Sequence, residues 1–192
     1  VEPILDIKNP NCLEAINYYK ESLLLLIKAQ YPKRKIDHPA ANRFFDFEKL
    51  YYELNFFVTH FLNGFMNLNI AEENENNIGL YDDLKLLAKK LDSCERVLCH
   101  RDYHVRNIML KSNKIYWIDF QDARMGPHSY DVVSLIRDSY VNITWETRKH
   151  LFSFYLDNMN NERELNELNP ISQTSFNLEL LLMGLQRNIK AI

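Results

Sequence analysis

His100, Arg101, Asp102, His104, Arg106 and Asn107 crowd into one short polar loop, and Asp119 and Asp122 follow a dozen residues later. Between the two groups lie Ile108–Leu110 and Ile115–Ile118, rich in residues that suit strands, separated by Ser112, Asn113 and Lys114, which suit a tight turn. A chain that reverses around Asn113 brings together residues whose numbers add to about 226, so Asn107 faces Asp119 to within a residue. A carboxylate and an amide carbonyl converging at the open end of a hairpin suit Mg²⁺, which takes one or two protein oxygens and completes its octahedron with waters and substrate phosphates. Asp102, five residues ahead of Asn107, stands near that ion without being needed as a ligand. A carboxylate so placed can orient a hydroxyl and accept its proton as the hydroxyl attacks phosphorus. The chemistry these residue types support is phosphoryl transfer.

Other chemistries fit less well. His100 and His104 around Asp102 could form part of a hydrolytic centre, but no GxSxG turn supplies a nucleophile. Metal-assisted phosphoester hydrolysis is the competitor within the same class. Cys99 reads as a small buried apolar residue, with no neighbouring group that argues for a thiolate.

HRDYHVRN at 100–107 resembles the HxDxxxxN catalytic loop of the kinase fold, and IDF at 118–120 stands where that fold has its metal-binding segment. With QDA, Gly126-Pro127 and YDVVSLIRDSY following, the run is similar to the aminoglycoside phosphotransferase and choline kinase superfamily. Within it, the run is most like the bacterial sugar 1-kinases that act on N-acetylmuramate and N-acetylglucosamine in cell-wall recycling. FDFEKLYYELNFFVTHFL at 45–62 and MGLQRNIKAI at the C-terminus extend the likeness over most of the chain. The resemblance implies Asp102 as catalytic base, Asn107 and Asp119 as Mg²⁺ ligands, His100 and Asp131 as supports of the loop, and ATP as co-substrate. His104, Arg106, Gln121, Asp122, Glu53 and Arg187 are candidate substrate contacts. Glu53 is otherwise expected at the surface, and Arg187 otherwise in a surface salt bridge. Gln186, beside Arg187, is expected to face the same cleft. Choline, ethanolamine or aminoglycoside kinases of the same superfamily are the alternative reading. A non-catalytic binding lobe is the alternative of another class, disfavoured because it has no chemical need for all three site residues.

The resembled fold is α+β and mainly α here: the C-terminal lobe of a protein-kinase-like fold, with the hairpin as the one confident β element among helices. Glycines occur only at 64, 79, 126 and 184, so no Gly-rich phosphate-covering loop and no GxxxxGK loop is present. Together with the opening Val1, this leads to the expectation that residues 1–192 are one catalytic lobe. The N-terminal ATP-binding lobe is then its missing partner, the piece alone is expected to be inactive, and the bared lobe interface is a surface for self-association. A net charge of −3 gives no electrostatic reason to expect nucleic-acid binding. Three cysteines without CxxC spacing support neither a disulfide framework nor a zinc site and fit a reducing cytoplasm. The longest aliphatic block, Leu23–Ile27, is far too short to span a bilayer.

The elements that must hold the site follow from periodicity and caps. Residues 1–11 read as a connector. Helices are predicted from Cys12 to Gln30, closed by Pro32; from Phe47 to Leu62, capped by Asp46; and from Leu80 to Leu91. After a turn at Gly126-Pro127, further helices are predicted from about Ser129 to Tyr140, Thr144 to Asn158 and Ser172 to Ala191. Gly184 inside the last implies close packing there. Lys33-Arg34-Lys35 and the Asn/Glu-rich stretch 63–79 read as solvated loops, and 157–170 as a polar segment.

Overall fold

A computed structural model describes residues 2–3, 9–33, 37–71 and 78–192. Arg34 and Lys35 of the basic run, the core of the acidic stretch at 72–77, and residues 1 and 4–8 of the connector lie outside the described residues. Helix α1 (Leu13–Gln30) starts at the Cys12 N-cap and packs along α5 (Trp145–Leu165), burying Tyr19, Leu23, Leu26 and Ile27. Helix α2 (Phe47–Phe57) is capped by the Asp46 carboxylate, which accepts the Lys49 N–H at 3.1 Å, as the sequence predicts. It does not continue as a plain α-helix to Leu62: from Val58 to Phe65 the turns widen to π-helix, and Phe57, Phe61 and Phe65 stack in sequence along one face. Helix α3 (Ile78–Asp92) lies against α2.

Two small antiparallel sheets follow. In one, β1 (Glu2–Pro3), β3 (Ile108–Lys111) and β4 (Lys114–Trp117) lie in that order, with Ile108 opposite Trp117 and Lys111 opposite Lys114. Ser112 and Asn113 both have positive φ, 49° and 56°, the signature of the two-residue turn whose twist matches a hairpin. In the other sheet, β2 (Arg96–Cys99) pairs with β5 (Arg124–Pro127). Gly126-Pro127 is therefore not a turn but the end of a strand. Its glycine is needed for close approach, because a Cβ there would meet the Phe45 Cβ at 3.1 Å and the Cys99 Sγ at 3.3 Å.

Helix α4 (Ser129–Ile136) is buried along its whole length and stops four residues before the predicted Tyr140. Asp138 ends the run by accepting the Tyr140 N–H at 2.9 Å. Helix α5 runs past the predicted Asn158 to Leu165. The first part of the supposed polar segment is helical because Arg163 is buried, paired with Glu95 and donating to the Tyr31 hydroxyl. The last helix, α6 (Gln173–Ala191), begins at the Ser172 N-cap, and Gly184 leaves room for the Arg137 guanidinium pressed against it. The molecule is mainly helical with small antiparallel sheets, and one core joins α1, α4, α5 and α6 beneath the loop at 100–107.

Candidate active site

The loop after β2 is held from below by two carboxylates. Asp131, fully buried in the first turn of α4, accepts the backbone N–H groups of His100 at 2.6 Å and Arg101 at 3.0 Å. Burial pushes its pKa up to about 6, the two amide bonds and the Arg187 and Arg101 guanidiniums limit the rise, and it is ionised at neutral pH. Asp138 accepts the Val105 N–H at 3.0 Å. Arg101, at the top of the loop, adopts φ = 81°, a left-handed conformation that costs a non-glycine residue on the order of 1 kcal/mol. His100 is buried against Tyr103 and edge-on to Trp117. Burial lowers its pKa against the opposing pull of the Ile118 backbone and the Asp102 and Asp119 carboxylates, so the ring is neutral at pH 7.

Asp102 is half-buried, and the hydrogen bonds around it fall on its backbone carbonyl, which accepts the His104 N–H at 3.0 Å and the Asn107 side-chain amide at 2.9 Å. Since that amide nitrogen is committed to a carbonyl, the Asn107 Oδ1 is the atom left for a cation. The hairpin register places Ile118 directly across from Asn107, its N–H reaching the Asn107 carbonyl at 3.1 Å, and Asp119 comes one residue later. Asp119 is exposed and sits at φ = 65°, a second left-handed residue. An amide oxygen and an exposed carboxylate at one hairpin end are a donor set for a hard, oxygen-seeking cation. Among the described residues no cluster of three His, Cys, Asp or Glu side chains offers a softer alternative. Behind the loop an apolar cavity of about 200 Å³ is lined by His100, Trp117, Phe120, Leu98, Leu26 and Ala123.

A sequence profile of the phosphotransferase enzyme family matches residues 35–168, which contain Asp102, Asn107, Asp119 and the anchors Asp131 and Asp138. The chain belongs to that phosphotransferase family. One relative, the N-acetylmuramate/N-acetylglucosamine kinase of Neisseria meningitidis serogroup B, is 51% identical over 51 residues, 27% of this chain and 15% of the relative. The kinase of the same name from Pseudomonas aeruginosa is 44% identical over 66 residues, 34% of this chain and 19% of that one. Among solved structures, a choline kinase from Cryptosporidium parvum Iowa II superposes over 93% of this chain and 58% of its own, with a TM-score of 0.59 at 14% identity. The ADP-bound aminoglycoside phosphotransferase APH(2'')-Ib superposes over 96% of this chain and 71% of its own, with a TM-score of 0.52 at 15% identity. These likenesses establish a kinase-like phosphotransferase fold, and the chain spans only part of each protein it matches.

Within the phosphotransferase site, the remaining candidates separate into two groups. His104 and Arg106 flank Asn107 and lean on Tyr140: the His104 ring is edge-on to it at 5.6 Å, and the exposed Arg106 guanidinium lies 3.6 Å over it. Gln121 and Asp122 are exposed just past Asp119, their backbone carbonyls taken by Arg43 at 2.9 Å and Arg124 at 3.3 Å. These four border the site. Glu53 and Arg187 do not match what the sequence suggests. Glu53 is buried rather than at the surface, because it compensates the buried Arg101: its Oε1 pairs with the Arg101 Nη2 at 2.7 Å, and its Oε2 accepts the Gln186 amide at 3.0 Å. Both oxygens have partners within the protein. Gln186 is fully buried and faces Glu53, not a cleft. Among the described residues Arg187 forms no ion pair; its guanidinium stacks 4.8 Å over the Tyr130 ring.

Sequence reasoning missed Asp138 as a second anchor of the loop; it lies just past the end of α4, where the sequence predicts the helix to continue. It missed Arg101 as a partner of Glu53, for which no local pattern exists.

Proposed function

We propose that this chain is the catalytic lobe of an ATP- and Mg²⁺-dependent phosphotransferase that phosphorylates a hydroxyl of a small molecule, most specifically the anomeric hydroxyl of an N-acetylated amino sugar. The reading is supported by the hairpin register, which sets Asp119 one residue past the partner of Asn107, and by the Asn107 amide bonded to the Asp102 carbonyl in a loop fixed beneath by Asp131. Asp102, its carboxylate uncommitted by the bonds that fix its carbonyl, orients the acceptor hydroxyl and takes its proton. Asn107 Oδ1 and Asp119 hold Mg²⁺, which when bound neutralises charge on the nucleotide phosphates. Asp131 and Asp138 keep the base in place throughout. His104, Arg106, Gln121 and Asp122, around the mouth, are the side chains positioned to meet the acceptor.

The sugar preference is supported by the names of the two bacterial relatives above, and it implies a role in salvaging cell-wall amino sugars in the cytoplasm. No helix among the described residues is long and apolar enough to cross a membrane. We read the exposed Tyr116, Ile118 and Phe120 beside the apolar cavity as the face on which a separate ATP-binding lobe sits. The lobe on its own is accordingly inactive and prone to pair with itself through this face. A panel of N-acetylmuramate, N-acetylglucosamine, choline and an aminoglycoside, offered with ATP to the full-length protein, tests the reading. Phosphate on C1 of a sugar is the expected product, and phosphocholine or a phosphorylated aminoglycoside would reassign the branch.

A further inference from the structure

We propose that Glu53 is a positioning residue for catalysis: by holding the Arg101 guanidinium it maintains the left-handed backbone at Arg101 and so fixes the direction in which Asp102 points. This rests on Asp102 being the base. Glycine adopts φ = 81° without cost, whereas arginine adopts it only when its surroundings insist. Here they do. The Arg101 side chain is buried, its guanidinium 4.2 Å over the Phe45 ring and 5.4 Å over the Tyr130 ring, with Nε and Nη1 making no hydrogen bond among the described residues. Its carboxylate partner is Glu53, reached through Nη2. Glu53 is in turn braced from α6 by Gln186 and by Lys190, whose Nζ lies 3.5 Å away.

A buried arginine with one carboxylate partner and two unpaired nitrogens has little reason to stay once that carboxylate is gone. The residue bonded to its carbonyl side is Asp102. When Arg101 withdraws, its backbone relaxes toward the ordinary negative φ, the peptide between 101 and 102 turns, and the base leaves its line to the acceptor. Two helices remote in sequence, α2 and α6, thereby act on the base through one side chain.

The test uses the full-length protein with ATP and N-acetylglucosamine as probe, and the variants E53Q, R101G and R101G/E53Q, with D102N alongside. Glu53→Gln is expected to lower kcat by on the order of tenfold to a hundredfold, the effect of an ångström-scale misplacement, while the KM for ATP stays within about twofold. Glycine at 101 needs no anchor, so R101G/E53Q is expected to turn over about tenfold faster than E53Q, a non-additivity that a merely stabilising ion pair would not give. Should E53Q fail to fold, comparing R101G with R101G/E53Q decides the matter. Equal kcat supports the role, and a further tenfold loss, on the order of what two independent contributions would give, overturns it. Wild-type kcat in E53Q with an inactive D102N sinks the positioning role and leaves the base intact, whereas an active D102N sinks the base itself.

Discussion

The two strands of polypeptide that meet at the site are held in opposite ways. The loop at 100–107 is fastened to the core: buried carboxylates of Asp131 and Asp138 accept three of its backbone N–H groups, and Tyr103 reaches down to donate to the Ser22 carbonyl at 2.7 Å. The segment leaving the hairpin, 118–122, lies exposed, with one backbone bond to Asn107 and a turn closed between Ala123 and Phe120. The group proposed to move a proton is thus built into the fold, while one of the two proposed metal ligands rides on an exposed segment tied by that bond, the turn and the Arg43 and Arg124 side chains. Damage to the core should therefore reach turnover before it reaches nucleotide binding, and damage to the hairpin the reverse.

That contrast can be broken at several points. Asp102→Asn in the full-length protein should lower kcat by about 10²–10⁴-fold with nucleotide affinity unchanged, as steady-state kinetics and calorimetry would show. Wild-type kcat would remove Asp102 from its role. Asp119→Ala should abolish the part of nucleotide binding that depends on Mg²⁺, on the order of tenfold to a hundredfold in affinity, while leaving thermal stability near wild type. Undiminished affinity would take Asp119 out of the metal site. Asp131→Asn leaves two backbone donors facing a half-matched amide, so stability should drop by about 1–3 kcal/mol in urea unfolding and turnover with it, with nucleotide still bound.

Titration sharpens the same distinction. The Asp131 pKa of about 6 lies above its ordinary 3.8, because burial favours the protonated form. Protonation removes the charge that holds the His100 and Arg101 amides, so kcat should fall as pH drops through 6. The folded state binds this proton more tightly than the unfolded one, so between pH 6 and about 4 the group makes folding more favourable, not less. Activity should then be lost in acid without a loss of stability from this residue, and Asp131→Asn should flatten the acid limb.

The smallest effect on turnover is expected farther down, where His128, with no exposed surface, lies 3.2 Å from Glu179. Burial pushes Glu179 up to about 7 and His128 down to about 4. Glu179 therefore favours folding at the acid end of pH 4.5–7 and loses that contribution as pH rises. Glu179→Gln should gain stability relative to wild type across that interval, with kcat within about twofold at pH 8. A relative loss on raising pH would reverse the assignment.

Much of this arrangement was readable in the residues because the information was local. Ser112-Asn113 permits the tight reversal, β-branched and aromatic residues flank it, and Asn107 then falls opposite Ile118, within the expected one residue of Asp119. The Asp46 cap declared its helix. What could not be read was decided by partners distant in sequence. Gly126-Pro127 resembles a turn until β2 is there to pair with it. The polar tail of α5 looks like a loop until Arg163 finds Glu95. Glu53 looks like a surface acid until Arg101, 48 residues on, needs a counter-charge.

The reversal at Ser112-Asn113 has a reach well beyond its own surface position. Because each strand alternates faces, one residue added or removed there would slide one leg of the ribbon past the other and turn the Asp119 carboxylate to the opposite side, about 20 Å from the edit. A solvent-facing tip with no chemistry of its own thus works as the gauge that spaces two oxygens at the far end, and natural length variation at this tip should be far rarer than variation in which residues occupy it.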